Sequence, residues 1–268
     1  MKILPCTIAV LLITIISMPL AYAKEALSPL EIMKRVDTRY DGDDRDSEMI
    51  MILIDKKGKE RTRKLKVFSR DNGEDTWSAS FFLSPQDVKN TGFLSYDYDK
   101  TTEDDQWLYL PALHKVKRIA SNDKTSSFMG SDFSYADMTD KEISDYTYTY
   151  LKTIQLNNQT CHVIESVPKT EKIVKDFGYT KSALFVLADS YVVARAVYWL
   201  EENNRIKYYD VKKFETIDKI VTPVEIHMTL KKGGIFLHKT IILYKNIRYN
   251  KGLDATIFST RQLEKGVQ

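Results

Sequence analysis

Residues 105–120 read DQWLYLPALHKVKRIA. Trp107, Leu108, Tyr109 and Leu110 follow one another without a polar break, Pro111 stops them, and His114, Lys115, Lys117 and Arg118 make a basic run. A short apolar run closed by proline reads as a strand. Strand side chains alternate between faces, so Trp107 and Tyr109 share one side and Leu108 and Leu110 the other.

Strand patterns extend from this point in both directions. Upstream lie Glu48 to Asp55, a charged return from Glu60 to Arg70, an alternating Thr76 to Leu83, and Phe93 to Tyr98. In the third of these, Trp77, Ala79, Phe81 and Leu83 fall on one face. A short helical turn is expected at Ser84 to Lys89, after Pro85. Downstream come Tyr146 to Leu156, Thr160 to Val167, Tyr179 to Ala188, Val192 to Leu200, Arg205 to Thr216, Ile220 to Leu230 and Phe236 to Tyr249. Thr222-Pro223 marks an edge or a strand start. The tally is about ten to twelve strands joined by short turns, a mainly β, antiparallel meander.

One strong helix precedes the strands. Ser28 can cap it, Pro29 suits its first position, Glu31 completes a capping box, and Leu27 and Ile32 stand at staple positions. Ile32, Met33, Val36 and Tyr40 form its apolar face, and Gly42 can end it. The C-terminus, Ala255 to Gln268, reads as a weak strand or a short helix.

The chain of 268 residues opens with Lys2, an apolar run from Ile3 to Leu20, and Ala21-Tyr22-Ala23. This is the pattern of a secretory signal peptide cleaved after Ala23. One domain is expected from 24 to 268, exported and periplasmic, soluble or peripheral. Losing the leader removes one lysine and no acid, so the chain is nearly neutral and not a nucleic-acid binder by bulk charge. Cys161 then stands alone, and no intramolecular disulfide can form.

Catalytic patterns are missing. His114, His162, His227 and His238 have no metal-ligand spacing, and Cys161 and His162, as strand neighbours, point apart. No phosphate-cradling glycine loop or nucleophile elbow is present. The acidic run Asp41 to Asp46 lacks the spacing of a calcium loop and reads as a solvated loop. No enzyme activity and no cofactor are expected.

Residues 121–139, SNDKTSSFMGSDFSYADMT, break the strand rhythm. The segment is polar and contains Gly130, yet it carries Phe128, Met129, Phe133, Tyr135 and Met138. A connection of this length in a compact domain usually has a function. WLYLPALHKVKRI (107–119) followed by SFMGSDFSYADM (127–138) resembles the signature of the LolA-like outer-membrane lipoprotein-sorting family of exported bacterial proteins. The leader, the capped helix, ARAVYWLEENN (194–204) and FSTRQLEKG (258–266) extend the resemblance over the mature chain, and His114 stands where the family has arginine.

The resemblance implies a strongly curved antiparallel sheet, an unclosed barrel, with helices and a loop in its concave side. It also implies a carrier or acceptor of lipid or lipoprotein acyl chains, often associated with exporters of the resistance-nodulation-division class. Trp77, Phe81, Phe93, Trp107 and Tyr109 are the expected cavity wall. Residues 121–139 are the expected lid, with Phe128, Met129, Phe133 and Tyr135 facing the cargo. Lys115, Lys117 and Arg118 are expected at the mouth, against headgroups or in transient contact with the membrane. Two other readings of the same pattern are an outer-membrane β-barrel pore and a sensor or interaction module that does not transport.

Overall fold

The computed structural model describes residues 27–99, 103–201 and 204–267; the expected signal peptide lies outside the described residues. Helix α1 (Pro29–Asp37) leads into β1 (Asp44–Ile54), β2 (Glu60–Asn72), β3 (Asp75–Ser84), β4 (Gly92–Asp97), β5 (Asp105–Leu110) and β6 (Lys115–Arg118). After a connection built of short 3-10 turns come β7 (Tyr146–Leu156), β8 (Gln159–Pro168), α2 (Glu171–Phe177), β9 (Tyr179–Leu187), β10 (Val193–Leu200), β11 (Arg205–Ile217), β12 (Ile220–Lys232), β13 (Ile235–Tyr249) and α3 (Thr260–Lys265).

The 13 strands form one antiparallel sheet in the order β6-β5-β4-β3-β2-β1-β13-β12-β11-β10-β9-β8-β7. It consists of two meanders joined where β1 pairs with β13. The strand count is thus slightly above the expected range. The edges β6 and β7 do not pair, so the sheet is not a closed barrel. It is nevertheless curled. Thr76 of β3 and Asp97 of β4 line the same cleft as Tyr146 and Tyr148 of β7, at the opposite end of the strand order. Register shifts in the β1–β13, β2–β3, β7–β8 and β11–β12 pairs supply local bends that add to the natural twist.

Each face of the first meander buries a different cluster. Inward, Met49, Met51 and Leu53 of β1 join Leu65, Val67, Phe82, Phe93, Leu108, Val211, Ile226, Met228 and Ile242. Outward, Phe68, Ala79, Phe81, Leu94 and Tyr109 pack under Phe258 and Leu263 of the C-terminal segment. The Tyr96 hydroxyl donates to the Phe258 carbonyl at 2.6 Å, and the Arg70 guanidinium donates to the Leu253 carbonyl at 2.9 Å. FSTRQLEKG is therefore a short capped helix that seals the outer face, with the Ser259 hydroxyl accepting from the Gln262 N–H.

Several local expectations change. Helix α1 has the Ser28 cap, Pro29 in its first turn and Leu27 packed beside Ile32, but it ends at Asp37, well before Gly42. Tyr40 is exposed, and its hydroxyl accepts from Asn250. Gly42, at φ +96°, lets the chain pass Tyr249, whose ring would lie 2.6 Å from an added Cβ. Residues 85–90 form a turn with no helix. Pro223 lies inside β12, away from the sheet edges. The β11 register breaks opposite it, and pairing with β13 begins only at Glu225, so its missing N–H costs no ladder bond.

The acidic run is a loop only over residues 41–43, where Asp41 and Asp43 are exposed. Asp44 and Asp46 are buried in β1. The Asp44 carboxylate accepts the N–H groups of Lys251, Gly252 and Leu253 at 2.9, 2.7 and 3.1 Å, tying β1 to the segment after β13. Asp46 pairs with Lys66 and Arg248, which outweigh burial and lower its pKa. Asp44→Ala strands three backbone donors and should lower unfolding stability by about 2 kcal/mol, measurable by urea titration; an unchanged midpoint would remove this tie from the fold.

Candidate functional site

Strands β6 and β7 are opposite edges of the sheet, and the segment that joins them enters its interior from Phe128 onward. The crossing is a plug. Phe128 is only 3% exposed, and Phe133 and Tyr135 are also buried, all three within the inner cluster. The Phe128 ring meets Phe93 edge-on at 5.0 Å and Tyr135 at 5.6 Å. Ser127 and Ser134 form a β-bridge, and the Phe128 N–H donates to the Phe133 carbonyl at 2.7 Å.

The polar residues of this segment anchor it. The Asp132 N–H donates to Thr240 Oγ1 at 2.9 Å, and that hydroxyl donates back to Asp132 Oδ2 at 2.7 Å. Gln106, fully buried on β5, donates to the Tyr135 carbonyl at 2.9 Å. Arg63 of β2 donates to the Met129 carbonyl. Three strands therefore hold one loop.

Farther along, Asp137 accepts from the Ser134 N–H at 2.8 Å, from the Tyr179 hydroxyl at 2.8 and 2.9 Å, and from the Lys207 ammonium at 3.3 Å. Burial opposes its charge, but Lys207 and Lys141 more than compensate and lower its pKa. The Lys141 ammonium lies 4.8 Å from the centre of the Phe177 ring and 5.7 and 5.9 Å from those of Tyr179 and Tyr198. Burial depresses its pKa, against the pull of Asp137 and Asp140.

Beyond the plug the interior is open. Between α1, residues 137–143 and strands β7–β12 is a cavity of about 410 Å³. Its walls mix the apolar Met33, Val36, Ile143, Leu184, Val193 and Pro223 with Tyr146, Tyr148, Tyr198 and Tyr209 and with the charged Asp37, Arg39, Asp41, Asp137, Asp140 and Lys141. It shares Asp37, Asp140, Lys141, Ile143, Tyr146 and Tyr148 with a larger, more open cleft of about 1140 Å³. The outer cleft carries Asp37, Glu74, Asp97, Asp99, Asp140 and Glu142 against Lys34, Lys141 and Lys169. Tyr146, deeply buried, lines both spaces, and its hydroxyl has no hydrogen-bond partner.

The residues expected at the site are divided by the sheet. Phe93, Phe128, Phe133 and Tyr135, with Met129 at their margin, meet in the inner cluster. Trp77, Phe81, Trp107 and Tyr109 lie on the outer face beneath the C-terminal segment. Lys115, Lys117 and Arg118 are exposed on the edge strand β6, where Arg118 pairs with Asp105. None of these residues lines the cavity or the outer cleft. Sequence reasoning passed over the tyrosines of β7, β10 and β11; the alternation of Tyr146 and Tyr148 was the signal available for them.

A family model described as "Uncharacterized protein" matches residues 74–265. Among solved structures, a DUF1329 family protein from Desulfovibrio piger is 29% identical at a TM-score of 0.79, covering 88% of this chain and 97% of its own. A Vibrio parahaemolyticus domain named for outer-membrane lipoprotein sorting gives 29% and 0.79, covering 88% and 98%. A LolA superfamily protein from Nitrosomonas europaea, 15% identical at a TM-score of 0.66 and covering 88% of this chain and all of its own, shares the fold. No curated protein matches.

Asp97 gives the outer cleft a measurable pH signature. Burial, reinforced by the charge of Asp140, pushes its carboxyl up to about 8. The folded state therefore keeps a proton that the unfolded chain releases near pH 4, and stability falls as pH rises between those values. Asp97→Asn should match the parent at pH 4 and gain thermal stability relative to it up to pH 8; a constant difference across that range would refute the assignment. With the sheet order, the interior plug and the match over residues 74–265 in hand, the chain belongs to this DUF1329-like family and has the LolA-superfamily fold.

Proposed function

We propose that this protein is a periplasmic carrier or acceptor that holds an acyl chain of a lipid or lipoprotein in the cavity beneath α1. The observation that carries the reading is that cavity: about 410 Å³, walled on one part by Met33, Val36, Leu184 and Val193, and sharing lining residues with a larger polar cleft. Moving an acyl chain through water requires covering it. At ~0.8 kcal/mol per CH₂, a chain of about 16 carbons exposes on the order of 12 kcal/mol of unfavourable surface. A concave apolar pocket covers it on every side, and spaces of this size are typical of small-molecule sites.

The arrangement divides the work. Met33, Val36, Leu184 and Val193 cover the tail, while the headgroup stays in the outer cleft. Helix α1 is the movable cover, because it packs on Ile164 and Val186 through one small cluster. The 121–139 segment acts as a fixed partition, since Phe128 and Phe133 would have to leave the core to act as a lid. The name of the Vibrio parahaemolyticus domain and the LolA-type fold support this reading. No helix among the described residues is long and apolar enough to cross a membrane. The partner this reading adds is a membrane exporter of the resistance-nodulation-division class.

The test is uptake of a fluorescent fatty acid by delipidated protein. Val36→Asp places a charge in the cavity wall and should weaken uptake on the order of tenfold with little loss of thermal stability. Phe128→Ala should instead lower stability by about 3–5 kcal/mol. The reverse pattern, a stable Phe128 variant that no longer binds and a Val36 variant that binds normally, would return the site to the 121–139 segment.

A further inference from the structure

The tip of the β12–β13 hairpin carries the most exposed large apolar side chain among the described residues. Ile235 is 71% exposed and Phe236 is 36% exposed. Gly233 and Gly234, both at positive φ, make the turn that presents them. Lysines frame the pair. Ile235 is in register with Lys232 and Phe236 with Lys231 across the hairpin, and the Lys231 ammonium sits over the Tyr208 ring at 5.2 Å.

The neighbouring hairpin adds to the charge. Strand β1 pairs with β13 with Ile54 opposite Lys239, so the β1–β2 turn lies beside this tip. That turn carries Lys56, Lys57 and Lys59, all exposed. The acids here are Asp55 and Glu60, and the Asp55 carboxylate accepts the Lys57 and Lys59 N–H groups at 2.8 and 3.0 Å, holding the turn in shape. Arg61 and Lys64 of β2 continue the basic surface. Two large apolar side chains projecting from a ring of flexible cations suit the interface of an anionic bilayer, where the hydrocarbon enters the headgroup layer and the ammoniums meet phosphates.

We infer that the paired hairpin tips, centred on Ile235 and Phe236, dock the protein on the surface of an anionic lipid bilayer. A partner protein is the competing occupant. The bilayer is favoured because two exposed apolar side chains at one turn are flanked by long, flexible cations. This inference is independent of what the interior cavity holds, and it places membrane contact away from Lys115, Lys117 and Arg118.

Flotation of the mature protein with vesicles tests it, comparing phosphatidylcholine alone with phosphatidylcholine containing phosphatidylglycerol, at low and high salt. The protein should float with the anionic vesicles and be released by salt. The double variant Lys231→Glu with Lys232→Glu should weaken partitioning by about tenfold or more. Ile235→Asp with Phe236→Asp should do the same even at low salt. Both variants should keep the parent's thermal midpoint and fatty-acid uptake, which separates a lost docking surface from a lost cavity. Equal flotation of parent and variants overturns the proposal, as does absence of flotation in a preparation whose hairpin cross-links to a protein. A separate variant, Lys115→Glu with Lys117→Glu, should float like the parent; if it alone fails to float, the docking surface belongs to β6.

Discussion

The structure depends on one topological constraint: the first meander ends at one edge of the sheet and the second begins at the other. The segment that joins them passes through the hollow of the curled sheet. A polar connection left in that space would bury unsatisfied backbone groups, and a purely apolar one would have nothing to hold its course. The chain meets both demands with side chains. Asp132, Gln106 and Arg63 satisfy and fix the crossing, and Phe128, Phe133 and Tyr135 fill the space on its inner side.

The same constraint creates the cavity. Because the plug occupies the part of the interior bounded by β1–β5 and β11–β13, the remaining hollow lies against β7–β12 and beside α1. The Asp137–Tyr179–Lys207 network stands where the plug gives way to this space. Its charges are compensated locally, since Lys207 and Lys141 surround the one carboxylate. A buried ionic group of this kind contributes little net stability but fixes where the chain turns. The boundary between filled core and open cavity is therefore set by polar contacts, while the apolar side chains on either side supply the bulk.

Much of this was legible in the sequence. Period-two alternation separated Trp107 and Tyr109 from Leu108 and Leu110, and Trp77, Ala79 and Phe81 do share a face. The anomalous 121–139 segment stood out because its aromatic residues sat among serines and aspartates. Alternation identifies which residues share a face, but not which face is concave. That depends on α3 arriving from the far end of the chain to cover Phe81 and Leu94. The tyrosines at the cavity were missed for a related reason: they lie on strands distant from the signature, and only the curl of the sheet brings them to α1. Pro223 and Asp44 misled because each is tolerated by a partner remote in sequence, the β11 register break in one case and residues 251–253 in the other.

Burial also separates two kinds of aromatic cluster that look alike in the sequence. In the outer cluster Trp77 stacks on Tyr96 at 4.8 Å, and the C-terminal segment covers them, so the rings are committed to stability. Around the cavity, Tyr179 stacks on Tyr198 at the same distance, yet Tyr198 also faces open space and an ammonium. Aromatic rings suit such a wall because each offers an apolar surface to a tail and a quadrupole to a cation. A wall of leucines would cover a tail as well but would leave Lys141 with its carboxylate neighbours alone, without ring faces against it. At Tyr198 one side chain does both, lining the cavity and lying against the Lys141 ammonium.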